Sequence, residues 1–170
     1  MDFFEVITER RSVRNFTGEP VPREALEELV RAGIEAPSGV NAQLRQYIII
    51  DEPETMDELR PISAAMKNAP AAIVVVMDPT PTKFGEYWIQ DASAAMQNMH
   101  LAAVAMGYGS CWIEGPRSRC EKDLRDLLGV PENLRVWAIL AVGAPAVRPR
   151  RPEKSEFINV VHYNRFSSDA

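Results

Sequence analysis

Residues 71–77 read AAIVVVM, an uninterrupted apolar run that is β-branched from position 73 to position 76. A run of this length and composition, apolar on both alternating faces, is typical of a central strand covered on each side. A second apolar run, LRVWAILAVG at 134–143, predicts a longer strand of the same kind. The two runs therefore predict a sheet buried between two layers of other structure.

The segments around these runs supply further strands and the covering layers. Further strands are expected in QYIII (46–50) and SCWIEG (110–115), and helices in residues 2–10, from Pro22 to Gly33, in PETMDELR (53–60), from about Phe84 to Met106, and in SRCEKDLRDLLG (118–129). Apolar residues at helical spacing, Pro22 in a first turn and Gly129 at a C-terminus support the helices. Because helices and strands alternate without strict βαβ regularity, we expect an α+β protein, a three-layer α/β/α sandwich with a mixed sheet.

Length and composition restrict the class of protein. A chain of 170 residues with 46% hydrophobic content can fill one core, so residues 1–170 are expected to form a single domain. The N-terminus has no signal-peptide pattern, and no stretch approaches the ~20 apolar residues of a membrane span, so we expect a soluble, cytoplasmic protein. Cys111 and Cys120 are too few for a disulfide framework and are expected to be reduced and structural.

The charge distribution is uneven. A net charge of −5 disfavours binding to nucleic acid or anionic membranes, yet arginines concentrate in ERRSVR (9–14) and RPRRP (148–152). Arginine is preferred where a planar fork of donors matches phosphate or carboxylate oxygens. ERRSVR alone has two interpretations: solvated cations that complement a helix C-terminus, or a phosphate clamp to which Ser12 adds a hydroxyl donor.

Several kinds of catalytic site have no support in the sequence. Only His100, in an apolar helix, and His162, in the tail, could act as imidazole bases, and both are expected to be structural. Glycine-rich dinucleotide and P-loop motifs are missing, and so is zinc-ligand spacing, which predicts no metal site. An enzymatic activity would therefore depend on a reactive group brought in from outside the chain.

Four motifs occur in a fixed order: ERRSVR, then PSGVNAQ at 37–43, GYGSCWIEG at 107–115, and RPRRP. Together they resemble the nitroreductase family of flavin enzymes, whose pattern is RRSxRxF, APSxxNxQPW, GLGSCWIG and a final basic segment. The resemblance implies a nitroreductase-like fold with a mainly antiparallel sheet. It also implies a homodimer that binds two FMN molecules at the subunit interface, with residues 151–170 reaching the partner.

The resemblance also assigns roles to individual residues. It implies that Arg10, Arg11 and Ser12 hold the FMN phosphate and ribityl chain, with Arg148 and Arg150 closing on the phosphate, and that Arg14 lies near the pyrimidine edge of the ring. It implies that the second subunit contributes a loop with Pro37, Ser38, Asn41 and Gln43, and that the main chain of Glu114 and Gly115 faces flavin N5. The implied reaction takes hydride from NAD(P)H and reduces a nitroaromatic, quinone or similar acceptor by a ping-pong mechanism.

Two departures from the family pattern leave questions open. Leu44 and Arg45 stand where the pattern has Pro-Trp, which makes the shape of the loop uncertain. Only DPTPTKFGEYW (78–88) precedes the long helix, so the site is either open or covered by Phe84, Tyr87 and Trp88. The alternatives are another flavin reaction, such as reductive dehalogenation or flavin breakdown, and an FMN-binding protein without turnover.

Overall fold

A computed structural model describes residues 1–83, 85–114 and 121–166 of the chain. The helices are α1 (Phe3–Glu9), α2 (Arg23–Ile34), α3 (Pro53–Leu59), α4 (Trp88–Ala105) and α5 (Glu121–Leu128). The strands are β1 (Arg45–Ile50), β2 (Ala71–Met77), β3 (Gly109–Ile113) and β4 (Arg135–Gly143). Short 3-10 turns occur at Gly39–Asn41, Arg60–Ile62, Ala64–Met66 and Phe157–Asn159.

The four strands form one sheet in the order β1-β2-β4-β3, so that the two apolar runs of the sequence are its central strands. Every pairing between these strands is antiparallel. The expected α+β class and mainly antiparallel sheet are confirmed. A parallel element of the expected mixed sheet is seen in the isolated bridge between Ser12 and Ser110.

Both faces of β2 are buried, which explains why its sequence does not alternate between apolar and polar residues. Ala71, Ile73, Val75 and Met77 face the layer formed by α2 and α4. The intervening Ala72, Val74 and Val76 face the opposite layer, which contains α3 and α5. Successive side chains of a strand point to opposite faces, so one apolar run serves two cores. The predicted three layers are confirmed.

The core on the α2/α4 side should be sensitive to the loss of a single methyl group. Ile73 is fully buried, so we expect Ile73→Val to lower the free energy of unfolding by about 0.5–1.5 kcal/mol. Ile34 is 54% exposed, and Ile34→Val should change it by less than about 0.5 kcal/mol. Urea unfolding followed by tryptophan fluorescence measures both, and equal effects would contradict the tight packing around Ile73.

Two elements differ from the sequence-based expectation. Helix α4 begins at Trp88 rather than near residue 84, because Gly85 has a φ of +127°, which is incompatible with a right-handed helix at that position. In the tail, FINVV (157–161) has a composition typical of a strand, but Phe157–Asn159 forms a 3-10 turn with Phe157 and Ile158 exposed. None of the helices in the described ranges has the length and apolar character needed to cross a bilayer.

Candidate functional site

The segment that follows α1 brings the two arginine clusters of the sequence together. Residues 12–17 lie between β3 and the chain leaving β4, held by three backbone hydrogen bonds: Val13 N to Ser110 O at 2.9 Å, Thr17 N to Ala144 O at 2.9 Å, and Ala146 N to Asn15 O at 3.0 Å. RPRRP begins two residues after the last of these bonds. The clusters are therefore neighbours because both flank the same edge of the sheet.

Shared pockets show how close the clusters come. Arg11 and Arg148 line one pocket, together with Gly109 of β3 and Glu9. Arg10 and Arg11 line a second pocket with Arg151 and Lys154, and its described lining residues include no carboxylate. Arg150 is exposed on the same tail segment. The two pockets share Arg11, and together they form a surface lined by four arginines and one lysine, with Glu9 as the carboxylate residue among the described lining residues; this excess of cations suits an anion such as a phosphate.

Arg11 has an unsatisfied hydrogen-bond donor. Its Nη1 donates to Thr8 O at 2.6 Å and to Arg10 O at 2.8 Å, but its Nε is buried and has no partner among the described residues. A buried donor without an acceptor is costly, whereas an anionic acceptor would satisfy it with a charge-assisted bond. The residues present therefore fit a phosphate group.

Ser12 and Arg14 lie next to this surface, on the side of Val147 and Pro149, with which they line a third pocket. Arg14 is exposed, so its guanidinium can meet a ligand in that pocket. Cys111, in β3, is close enough for the charge of Arg14 to act on it, but burial outweighs that charge and raises the pKa of its thiol. A buried neutral thiol is inert, so Cys111 has the structural character that the sequence predicted.

The end of β3 is only partly described. Glu114 follows the strand and is exposed, whereas Gly115 lies outside the described residues. Gly109, at the other end of β3, is packed so tightly that a Cβ there would lie 2.9 Å from the Val13 side chain. The glycine therefore permits the close approach that sets Val13, and with it the arginine segment, against the sheet.

The loop at 37–43 has a strained but well-bonded backbone. Gln43 N donates to Ser38 Oγ at 3.1 Å, Gln43 Nε2 donates to Asn41 Oδ1 at 3.2 Å, and Val40, Asn41 and Gln43 all have positive φ. Left-handed conformations at residues other than glycine cost about 1–3 kcal/mol each and persist where the surroundings impose them. No residue from 37 to 43 is among the described lining residues of the three arginine pockets, so a single chain does not bring the loop to that surface.

Arg45 holds this loop, and its role was not predicted. Its guanidinium donates to Ala36 O at 2.7 Å, Pro37 O at 3.1 Å and Asp91 O at 3.3 Å. The Asp91 side chain is buried and accepts from Gly39 N at 2.8 Å. The sequence offered one sign of this role: an arginine stands at the position where the family pattern has tryptophan. Arg151 and Lys154 were also missed, although they lie within or just after the basic RPRRP segment.

The tyrosine before α4 also restricts the loop. A Cβ added to Gly39 would lie 2.4 Å from Tyr87 Cγ, so either the ring or the loop must move. We expect Gly39→Ala to lower the free energy of unfolding by about 1–3 kcal/mol, and to cost clearly less in a Tyr87→Gly background. Urea unfolding of the four proteins in this cycle measures the coupling. Equal costs in both backgrounds would contradict the contact.

His100 is buried beneath the arginine segment. Its Nδ1 lies 2.6 Å from Ser110 Oγ, and both side chains are almost completely inaccessible to solvent. Burial, and secondarily the charge of Arg10, lowers the pKa of His100 to about 4. The imidazole is therefore neutral at pH 7, and it lines none of the three arginine pockets. This agrees with the expectation of a structural histidine.

Comparison with known proteins matches the chain to one family. The Nitroreductase family model matches residues 7–66 and 61–144. A protein from Archaeoglobus fulgidus, provisionally described as an NADH dehydrogenase/NAD(P)H nitroreductase, is 38% identical over 83% of this chain and 84% of its own length. The FMN reductase (NADPH) of Bacillus subtilis is 28% identical over 96% and 74%. The structure of an FMN-dependent nitroreductase from Clostridium difficile R20291 matches with a TM-score of 0.85 and 29% identity, covering 96% of this chain and 100% of that one.

Proposed function

The chain belongs to the nitroreductase family, and from that premise we propose that it is an FMN-dependent NAD(P)H oxidoreductase. One observation carries the proposal beyond the family match. Arg11 and Arg148, which are far apart in sequence, line a single pocket, and the buried Nε of Arg11 has no protein acceptor among the described residues. Relatives named as an FMN reductase and an FMN-dependent nitroreductase support the choice of ligand.

The binding roles follow from the charge and position of each residue. We assign Arg10, Arg11, Arg148 and Arg150 to the phosphate, with Ser12 as an additional hydroxyl donor. Each good fork onto a phosphate contributes about 1.5–3 kcal/mol as a charge-assisted hydrogen bond. Arg151 and Lys154 share the second pocket with Arg10 and Arg11, and they increase the positive potential there.

When bound, FMN would supply the redox chemistry, the transfer of two electrons and one proton from NAD(P)H to an acceptor. The protein binds the flavin and polarises it. Arg14 is assigned to the pyrimidine edge, where a fixed cation favours the added negative charge. The main chain of Glu114 and Gly115 is assigned to the N5 side, where a backbone N–H can donate a hydrogen bond.

The proposed assembly is a homodimer of single-domain chains, each comprising residues 1–170. The loop carrying Pro37, Ser38, Asn41 and Gln43 would complete the site of the partner subunit, which is consistent with its separation from the arginine pockets of its own chain. The exposed apolar side chains of the tail, including Phe157, Ile158 and Val160, support an extension 151–170 that packs on the partner. NAD(P)H as the electron donor favours the cytoplasm as the location.

The proposed acceptors are small nitroaromatics or quinones, reduced after the oxidised coenzyme has left, as in a ping-pong mechanism. The short connection at 78–88 favours an accessible site over one closed by a long lid. The decisive experiment is an anaerobic titration of the FMN-loaded protein with NADH and with NADPH. Bleaching of the flavin absorbance and its return with a quinone supports the oxidoreductase. A flavin that stays oxidised indicates binding without turnover, and a protein that takes up no FMN overturns the proposal.

A further inference from the structure

The loop at 37–43 is held by two residues outside it, Arg45 close by in sequence and Asp91 about 50 residues away. Arg45, the first residue of β1, reaches back to the carbonyl oxygens of Ala36 and Pro37, and the same guanidinium also contacts the carbonyl oxygen of Asp91 in the first turn of α4. Asp91 in turn accepts the amide of Gly39 inside the loop. The loop is thus tied at its entrance and in its middle to a helix that begins almost 50 residues later.

The chemistry of the arginine suits this position. Ala36 and Pro37 follow directly on the C-terminus of α2, where carbonyl oxygens lack helical partners and the dipole favours a cation. Ala36 is buried, so its carbonyl oxygen would pay a desolvation cost without the 2.7 Å bond from Arg45 Nη2. The planar fork serves Ala36 O from one nitrogen and Pro37 O from the other, a geometry that a single ammonium group does not reproduce.

The loop needs such an anchor because its own backbone is unfavourable. Val40 has a φ of +49°, in a region that β-branched residues rarely adopt, and Asn41 and Gln43 are also left-handed. The hydrogen bonds within the loop, from Gln43 to Ser38 and Asn41, support this conformation locally, and Arg45 and Asp91 add the ties that come from outside the loop. Where the family pattern has Pro-Trp, this chain has Leu44 and Arg45 and holds the loop by hydrogen bonds.

We propose that Arg45 and Asp91 are a positioning pair that fixes loop 37–43 in the conformation that meets the flavin. The inference rests on the proposed function for its flavin half, because the loop is assigned to the FMN of the partner subunit. Neither residue touches the cofactor in this assignment. They set the directions of Ser38, Asn41 and Gln43, and so influence how tightly FMN binds and how easily it is reduced.

The first test uses the protein without FMN. Amide hydrogen exchange of Gly39 and Gln43 should be about tenfold faster or more in Arg45→Met, as expected for the loss of one or more charge-assisted hydrogen bonds, while exchange in β2 stays unchanged. Arg125→Met is the matched control, because Arg125 also donates to a loop carbonyl, Glu132 O at 3.2 Å, on a different part of the molecule. It should leave exchange at 37–43 as in the wild type.

The second test uses the FMN-loaded protein. Arg45→Met should bind FMN about tenfold more weakly and shift the flavin midpoint potential, whereas Arg125→Met should do neither. Unchanged loop exchange overturns the inference, and so does faster exchange with unchanged FMN affinity and potential. If Arg45→Met does not fold, Arg45→Lys takes its place and should show the same changes at smaller size. A wild-type protein that refuses FMN overturns the proposed function and the flavin half of the inference, and the exchange data still decide whether Arg45 anchors the loop.

Discussion

The double variant Arg10→Met/Arg148→Met is expected to purify without flavin colour and to bind added FMN at least ~100-fold more weakly than the wild type. Each arginine lines one of the two pockets that Arg11 joins, so the variant removes a cation from both sides of the proposed phosphate site. Two charge-assisted forks contribute about 3 kcal/mol or more together, which corresponds to at least two orders of magnitude in the dissociation constant. Fluorescence titration with FMN measures the change.

A matched control separates a specific site from general electrostatics. Arg23→Met/Arg125→Met removes the same two charges from other parts of the surface, where Arg23 pairs with Asp51 and Arg125 contacts a carbonyl. Its FMN affinity should stay within about threefold of the wild type, because neither residue is among the described lining residues of the arginine pockets and salt screens exposed charges that do not contact the ligand. If both double variants lose affinity equally, the two clusters do not form a phosphate site.

The free energy of unfolding should fall as the solution is acidified from about pH 6.5 towards pH 4, because of His100. Burial is the main cause of its lowered pKa, about 4 in the folded protein against an ordinary 6.5. Between these values the unfolded chain binds a proton that the folded chain refuses, so acidification favours unfolding. The full loss for this shift is about 3 kcal/mol, with a slope of about 1.4 kcal/mol per pH unit. Above pH 6.5 both states are neutral at this residue and the effect vanishes.

Urea unfolding between about pH 5 and about pH 7.5 tests this, since carboxylates with ordinary or lowered pKa values stay ionised in that window. Glu121 is one of these, its pKa lowered chiefly by the hydrogen bond from Arg135. His100→Gln should be less stable at pH 7 and should lose the slope that His100 contributes. Ser110→Ala removes the hydrogen bond but leaves the imidazole buried, so most of the slope should remain. An unchanged pH dependence in His100→Gln would show that another group is responsible.

The central sheet was predictable because its signal is local. AAIVVVM and LRVWAILAVG contain no polar residue inside the strand except Arg135, and a strand covered on both faces requires such a composition. The start of α4 was less predictable: the sequence indicated a helix from about residue 84, and the φ of +127° at Gly85 that delays its start to Trp88 is a feature of the folded backbone. The tail was hardest, because the apolar residues around Phe157 find no cover within the described part of their own chain.

The candidate site also has a part that the sequence predicted and a part that it did not. The arginine clusters stood out by charge, and the order of four motifs indicated that they belong together. The sequence did not reveal the role of Arg45, because Leu44 and Arg45 indicated only that the Pro-Trp of the family pattern was missing. Its partner Asp91 is distant along the chain. An acidic residue in the first turn of a helix is common, so Asp91 gave no sign of a second role. A contact between two such residues exists only once the sheet and α4 are in place.

The strand order has a consequence for synthesis of the protein in the cell. On the ribosome, β2 can pair with β1 as soon as both have emerged, but its other edge must wait for β4, which begins at Arg135. During that interval an apolar, β-branched edge with no internal proline or charge is uncovered, and such an edge readily pairs with another nascent chain. Translation proceeds at about 5–20 residues per second, so the interval lasts several seconds. Slower expression, which lowers the density of nascent chains, or a chaperone that binds β2 early should raise the yield of folded protein. Chains then meet less often before residues 135–143 close the sheet.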